Sequence, residues 1–148
     1  MAFHFSHEAV LRLRRGQERA ERLKLEAIIF EQAKTRAQLE ELAQSHLELR
    51  RQFQRDLANG LVGSELQYEA VREAGMTSLQ ASLGARLKQL DQQRWAQAQI
   101  FTKARQYREV LENLRIRKFD FYRLEQNRRE QQDLDDLFLM RLEIKSDE

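Results

Sequence analysis

Residues 59–80 read NGLVGSELQYEAVREAGMTSLQ, and here the chain must turn back on itself. On either side of this stretch, a long run carries charge and apolar residues at helical spacing and no proline. The breakers of the chain cluster here instead. Asn59-Gly60 is the pair that closes a helix through a left-handed residue after its last turn. Gly63-Ser64 and Gly75-Met76-Thr77 follow. Ser64-x-x-Gln67 and Thr77-x-x-Gln80 both have the spacing of a capping box. The stretch predicts one helix ending near 59, a short helix over 65–74 inside a connection of about 60–77, and a last helix over about 78–145.

Outward from the break, helix 1 starts near residue 7. Ser6 is the expected N-cap, Glu8 suits the positive end of the dipole, and Phe5 with Val10 has the spacing of a hydrophobic staple. No breaker other than Gly16 occurs before Asn59. A helix of roughly 53 residues spans about 80 Å. Such a helix cannot be buried in a small globule and must run beside another. The last helix, with Gly84 near its start, is the natural partner. The expected fold is all-α: two long helices forming an antiparallel coiled-coil hairpin with a short helical connection, as a single domain over 1–148.

The apolar pattern supplies a seam, with a drift. Leu13, Gly16, Ala20, Leu23, Ala27, Phe30, Lys34 and Ala37 step by 3 and 4, and the stripe then shifts to Leu39, Leu42, His46, Leu49 and Phe53. The last helix offers Leu83, Leu87, Leu90, Phe101, Ala104, Leu111 and Leu114, interrupted by Arg94 and Arg108. This pattern predicts a seam that is not one unbroken zipper.

Composition narrows the function. The 148 residues include no Cys and no Pro, 34% are charged, and mean hydropathy is -0.76. Disulfide frameworks and Cys zinc sites are out, and the cytosol is the natural compartment. No run of about 18 apolar residues crosses a membrane. The first residues lack the apolar core of a secretory signal. The sequence offers no Cys nucleophile, Gly-rich phosphate loop or G-x-S-x-G, so no catalytic residue, no cofactor site and no metal site is expected, and the chain reads as a non-enzyme. His4 and His7 are three apart, with no Cys to complete a metal site. His46 reads as a polar, register-setting seam residue.

The 26 basic residues against 24 acidic leave a net charge of +2. Arg supplies 20 of the 26. Arg forks onto carboxylates and stacks on rings, so an Arg-rich helix suits protein contacts. Arg12, Arg14, Arg15, Arg19 and Arg22 crowd the start of helix 1, and Arg115, Arg117, Lys118, Arg123, Arg128 and Arg129 the far part of the last helix. A hairpin turning at 60–78 sets residue 12 beside about 124. It gathers Arg12, Arg14, Arg15, Arg19, Arg115 and Arg117 into a basic tip for docking on an acidic protein. Nucleic acid is not an expected partner, because Glu18, Glu21 and Glu26 interleave with the arginines and no base-reading helix is present. At the other end, Leu61, Val62, Leu66, Tyr68 and Val71 are more apolar residues than a two-helix turn can bury. They are a turn patch that either caps the seam or docks a membrane-associated partner.

The order of these pieces resembles a known family. Residues 3–18, FHFSHEAVLRLRRGQE, resemble the start of the flagellar protein FliJ at Phe3, Phe5, Glu8, Val10, Leu11, Leu13, Arg14 and Glu18, with His7 where an apolar residue is commoner. NGLVGSEL at 59–66 is similar to that family's helix break. Arg108, Leu111, Glu112 and Leu114 match its basic stretch, and Leu134, Asp135, Asp136 and Leu137 its acidic-Leu segment. The resemblance implies a soluble component of the flagellar type III export apparatus. Such a protein is similar to the stalk of rotary ATPases. It associates with the export ATPase hexamer and with the export gate membrane protein, escorts export chaperones, and sits at the cytoplasmic face of the cell membrane. A structural coiled-coil scaffold or a secretion chaperone of another system remains the alternative, with a nucleic-acid-binding helical protein behind it.

Overall fold

A computed structural model describes residues 2–146. Two helices account for nearly all of them: α1, Glu8–Ala58, and α2, Gly63–Ser146. No strand occurs among the described residues. By contact the chain divides into two units, one of Met1–Glu18 with Lys103–Glu148 and one of Arg19–Thr102. In each, an α1 segment packs on an α2 segment running the other way, so the antiparallel helical hairpin is the fold.

The connection is tighter than its glycines suggest. Asn59 and Gly60 close α1, with Gly60 NH donating to the Leu57 carbonyl at 3.2 Å and Gly60 at φ 91°. The connection between the two helices is residues 59–62 alone. Val62 then caps α2: its NH donates to the Glu65 carboxylate at 3.0 Å, and its carbonyl accepts from the NH groups of Glu65 and Leu66. The returning half of a capping box is thus made by Glu65 to Val62, two residues earlier than Ser64 with Gln67 would make it.

Residues 65–74 are helical, as expected, but they are the first turns of α2 and not a separate element. The helix runs through Gly75 and Thr77 without a break. Thr77 Oγ1 donates back to the Glu73 carbonyl at 2.9 Å, the bond of a helix-interior threonine and not of a cap. One interior glycine costs about 1 kcal/mol of helix propensity, which seam packing on both sides outweighs. At the start of α1, Ser6 Oγ lies 2.9 Å from His7 Nδ1 and caps nothing, while Val10 is exposed. Phe5 is buried instead beneath the Lys118 ammonium, 5.8 Å from its ring centre.

The seam corrects the expected stripe. In the Arg19–Thr102 unit, the covered α1 positions are Glu21, Leu25, Ile28, Gln32, Thr35, Leu39, Leu42, His46, Leu49 and Phe53. They face Glu69, Glu73, Met76, Gln80, Leu83, Leu87, Leu90, Gln97 and Phe101 of α2. In the other unit Leu11, Arg14 and Glu18 keep the same step of 3 and 4, as do Ala104, Arg108, Leu111 and Arg115. Leu13, Leu23 and Phe30 are 56–68% exposed, and Gly16, Ala20, Ala27, Lys34 and Ala37 also face water. The drift is therefore absent. A single heptad phase persists, and its early layers are polar.

Candidate functional site: partner-binding surfaces

The unit of Met1–Glu18 with Lys103–Glu148 is held by aromatic residues at one end and by an ion-pair ladder. Phe3 lies edge-on to Phe119 with centroids 5.2 Å apart and tilts against Tyr122 at 5.6 Å. Arg115 Nε sits 3.2 Å from Glu8, Arg15 Nη2 2.6 Å from Glu112, and Arg108 Nε 2.6 Å from Glu18. Arg108 Nη1 also lies 3.8 Å from Glu112. Arg108 and Glu18 are both largely covered, so their fork is the best-shielded rung. The hydrogen bond from Arg15, before the nearby charges, holds the Glu112 carboxyl below its ordinary range. Glu112 in turn raises the guanidinium of Arg15, and the bond to Glu18 raises that of Arg108.

These contacts sort the basic residues. Arg15 and Arg115 are occupied in interhelical pairs. Arg14 lies over the Tyr107 ring at 4.9 Å and donates to Gln17. Arg12 and Arg117 are exposed and have no ion pair among the described residues. Arg19 is exposed too and belongs to the other unit. The register also differs from the expected one. Rungs 15–112, 18–108 and 8–115 set residue 12 beside about 113, not 124, because the turn occupies four residues and not eighteen.

The Arg19–Thr102 unit carries a second polar seam. Gln32, 2% exposed, donates to the Asp91 carboxylate and accepts from Arg94 at 3.0 Å. Gln97 donates to the Glu21 backbone carbonyl at 3.1 Å and to its carboxylate, a bond that lowers the Glu21 carboxyl. His46 Nε2 lies 3.0 Å from Glu73, with Arg50 3.2 Å from the same carboxylate. His46 lowers the Glu73 carboxyl most, and the charges of Arg50 and Arg72 follow. Sequence inspection missed Gln32, Thr35, Glu18 and Glu21 as seam residues. The signal was there: counting back by 4 and 3 from Leu39 reaches 35, 32, 28, 25, 21 and 18.

At the turn, Val62, Leu66 and Val71 are 41–73% exposed, and Tyr68 is exposed as well. Leu66 helps line a groove of about 800 Å³ with Leu47, Phe53, Leu57 and Ala70. Leu61 is half-buried and lines a smaller hollow of about 320 Å³ with Phe53, Asp56 and Tyr68. The patch residues thus share one end of this unit. No cluster of three His, Cys, Asp or Glu suited to a metal occurs among the described residues. No described helix is long and apolar enough to cross a membrane.

The fold and its surfaces define a class: a two-helix coiled-coil hairpin with polar seams, exposed arginines and an apolar turn. A family model described as Flagellar FliJ protein matches residues 5–146. That match covers nearly the whole chain, so the chain belongs to the FliJ family and is a component associated with flagellar type III export. No curated protein and no solved structure matches it.

Proposed function

We propose that the chain acts as a stalk-like, non-enzymatic cofactor of the flagellar export ATPase hexamer and escorts export chaperones to the export gate membrane protein during flagellum assembly and hence motility. In this role it works in the cytoplasm and at the cytoplasmic face of the cell membrane. Membership of the FliJ family carries the proposal. The free charge of Arg12 and Arg117 supports a basic surface for acidic loops of an ATPase ring. The exposed Val62, Leu66 and Val71 support the turn as the surface for a membrane-associated partner. An asymmetric helix pair within a ring meets each subunit differently, which biases their nucleotide states.

The test is stimulation of the cognate export ATPase by purified chain. Arg12→Glu with Arg117→Glu reverses charge at positions outside the ion-pair ladder, so helicity should hold while stimulation falls. The loss should shrink as salt rises, because exposed charges are screened beyond about 10 Å at moderate ionic strength. Arg15→Glu is the structural control, since it breaks the pair with Glu112. Equal stimulation by wild type and the double variant rejects the basic surface. Leu66→Ser with Val71→Ser tests the turn in the same way against the gate protein.

A further inference from the structure

The α2 tail lies beyond its α1 partner. The α1 side of this unit reaches only as far as Phe3, which meets Phe119 and Tyr122. From residue 127 to 145 every residue of α2 is exposed. Yet Leu134, Leu137, Phe138, Met140 and Ile144 there are each 58–67% exposed. A lone helix of this length is marginal in water and gains its stability from packing. Contiguous exposed apolar residues mark an interaction surface.

Leu134, Leu137, Arg141 and Ile144 step by 3, 4 and 3, the spacing of a coiled-coil seam, with Asp133 and Phe138 on its flanks. We propose that this tail pairs antiparallel with the same tail of a second copy, about a two-fold axis at Leu139. The spacing of 3, 4 and 3 reads the same from either end, so it fits this direction. Residues whose numbers sum to 278 then meet, so each Leu134 packs on the partner's Ile144 and each Leu137 on the partner's Arg141. The apolar layers close both ends. In this register Arg141 reaches the partner's Asp133 at the seam edge, and the two-fold makes that pair twice. A parallel pair would set Arg141 against Arg141 in the seam, an uncompensated like-charge layer. The tail thus carries its own complement, Asp133 for Arg141, and charge sets the antiparallel direction.

Sedimentation equilibrium of the full chain, from low micromolar to a few hundred micromolar, reads the proposal. The expected mass rises from 17.7 kDa toward twice that value. Leu134→Glu with Leu137→Glu should hold the mass at the single-chain value with helicity retained. Asp133→Arg should weaken the dimer about tenfold through like charge beside Arg141, and adding Arg141→Asp should restore it. A single-chain mass at every concentration overturns the proposal, including when the chain instead binds phospholipid vesicles. So does a dimer unmoved by the Leu134 and Leu137 changes. Failure of the charge swap to restore association overturns the antiparallel register.

Discussion

Leu11 and Leu13 stand two residues apart on α1, and truncating each in turn isolates the phase of the seam. Leu11 is fully buried and Leu13 is 60% exposed. Leu→Ala in a buried site costs about 2–5 kcal/mol, through lost transfer energy and the cavity left behind. The lower part of that range applies to Leu11, because a two-helix seam can close partly around a gap. We expect a loss of roughly 2–3 kcal/mol there. Leu13→Ala removes a side chain already mostly in water and installs the best helix former, so its change should stay within about 0.5 kcal/mol. For a chain of this size, 1 kcal/mol moves the melting temperature by roughly 2–4 °C. Leu11→Ala should therefore lower it by roughly 4–12 °C, and Leu13→Ala by less than about 2 °C. The assay is thermal unfolding of the full chain followed by circular dichroism. Amide exchange at residues 8–18 reads the local opening of the same segment. An equal or larger loss for Leu13→Ala would refute the seam phase and favour the stripe through Leu13, Leu23 and Phe30.

Gly75 lies inside α2, and a Cβ there meets nothing within 4 Å. Gly75→Ala should raise stability by up to about 1 kcal/mol in urea unfolding, and a loss would reinstate a break at 75. Gly60 is different: at φ 91° an added Cβ is strained, so Gly60→Ala should cost about 1 kcal/mol by the same measurement. The carboxyls of Glu21, Glu73 and Glu112 are lower in the folded chain than their ordinary value of 4.5. Each therefore contributes stability that is present above that value and lost as pH falls through the lowered ones. Unfolding midpoints should drop below about pH 4.5, and the drop should lessen in Glu112→Gln.

The hairpin itself was legible because its determinants are local. Asn59-Gly60 ends a helix wherever it follows one, and proline is absent on both sides. The seam was legible from Leu39 to Phe53, where four of five positions are apolar. It was illegible from Leu11 to Thr35, because Arg14, Glu18, Glu21, Gln32 and Thr35 fill seam positions while Leu13, Leu23 and Phe30 lie outside. Polar residues can occupy a seam when their partners on the facing helix satisfy them, as Arg108 does for Glu18 and Asp91 for Gln32. That pairing joins residues 59 or more apart, so residue type alone does not mark these positions, and only the step of 4 and 3 back from Leu39 does. The length of the turn was misjudged for a related reason. Gly75 and Thr77 look like breakers in isolation, but the packing of Glu73, Met76 and Gln80 carries the helix through them. The same error displaced the basic residues by about a dozen positions against each other. It thereby hid that Arg15 and Arg115 are spent on holding the helices together.

The FliJ-family membership of this hairpin ties it to flagellar export. The most direct test of that tie is deletion of the gene in its own organism, with export of flagellar proteins into the medium measured beside a strain that carries the restored gene. Export and motility should fall together, and the wild-type chain should restore both while a chain with Arg12→Glu and Arg117→Glu restores them poorly. Undiminished export from the deletion strain would contradict that tie.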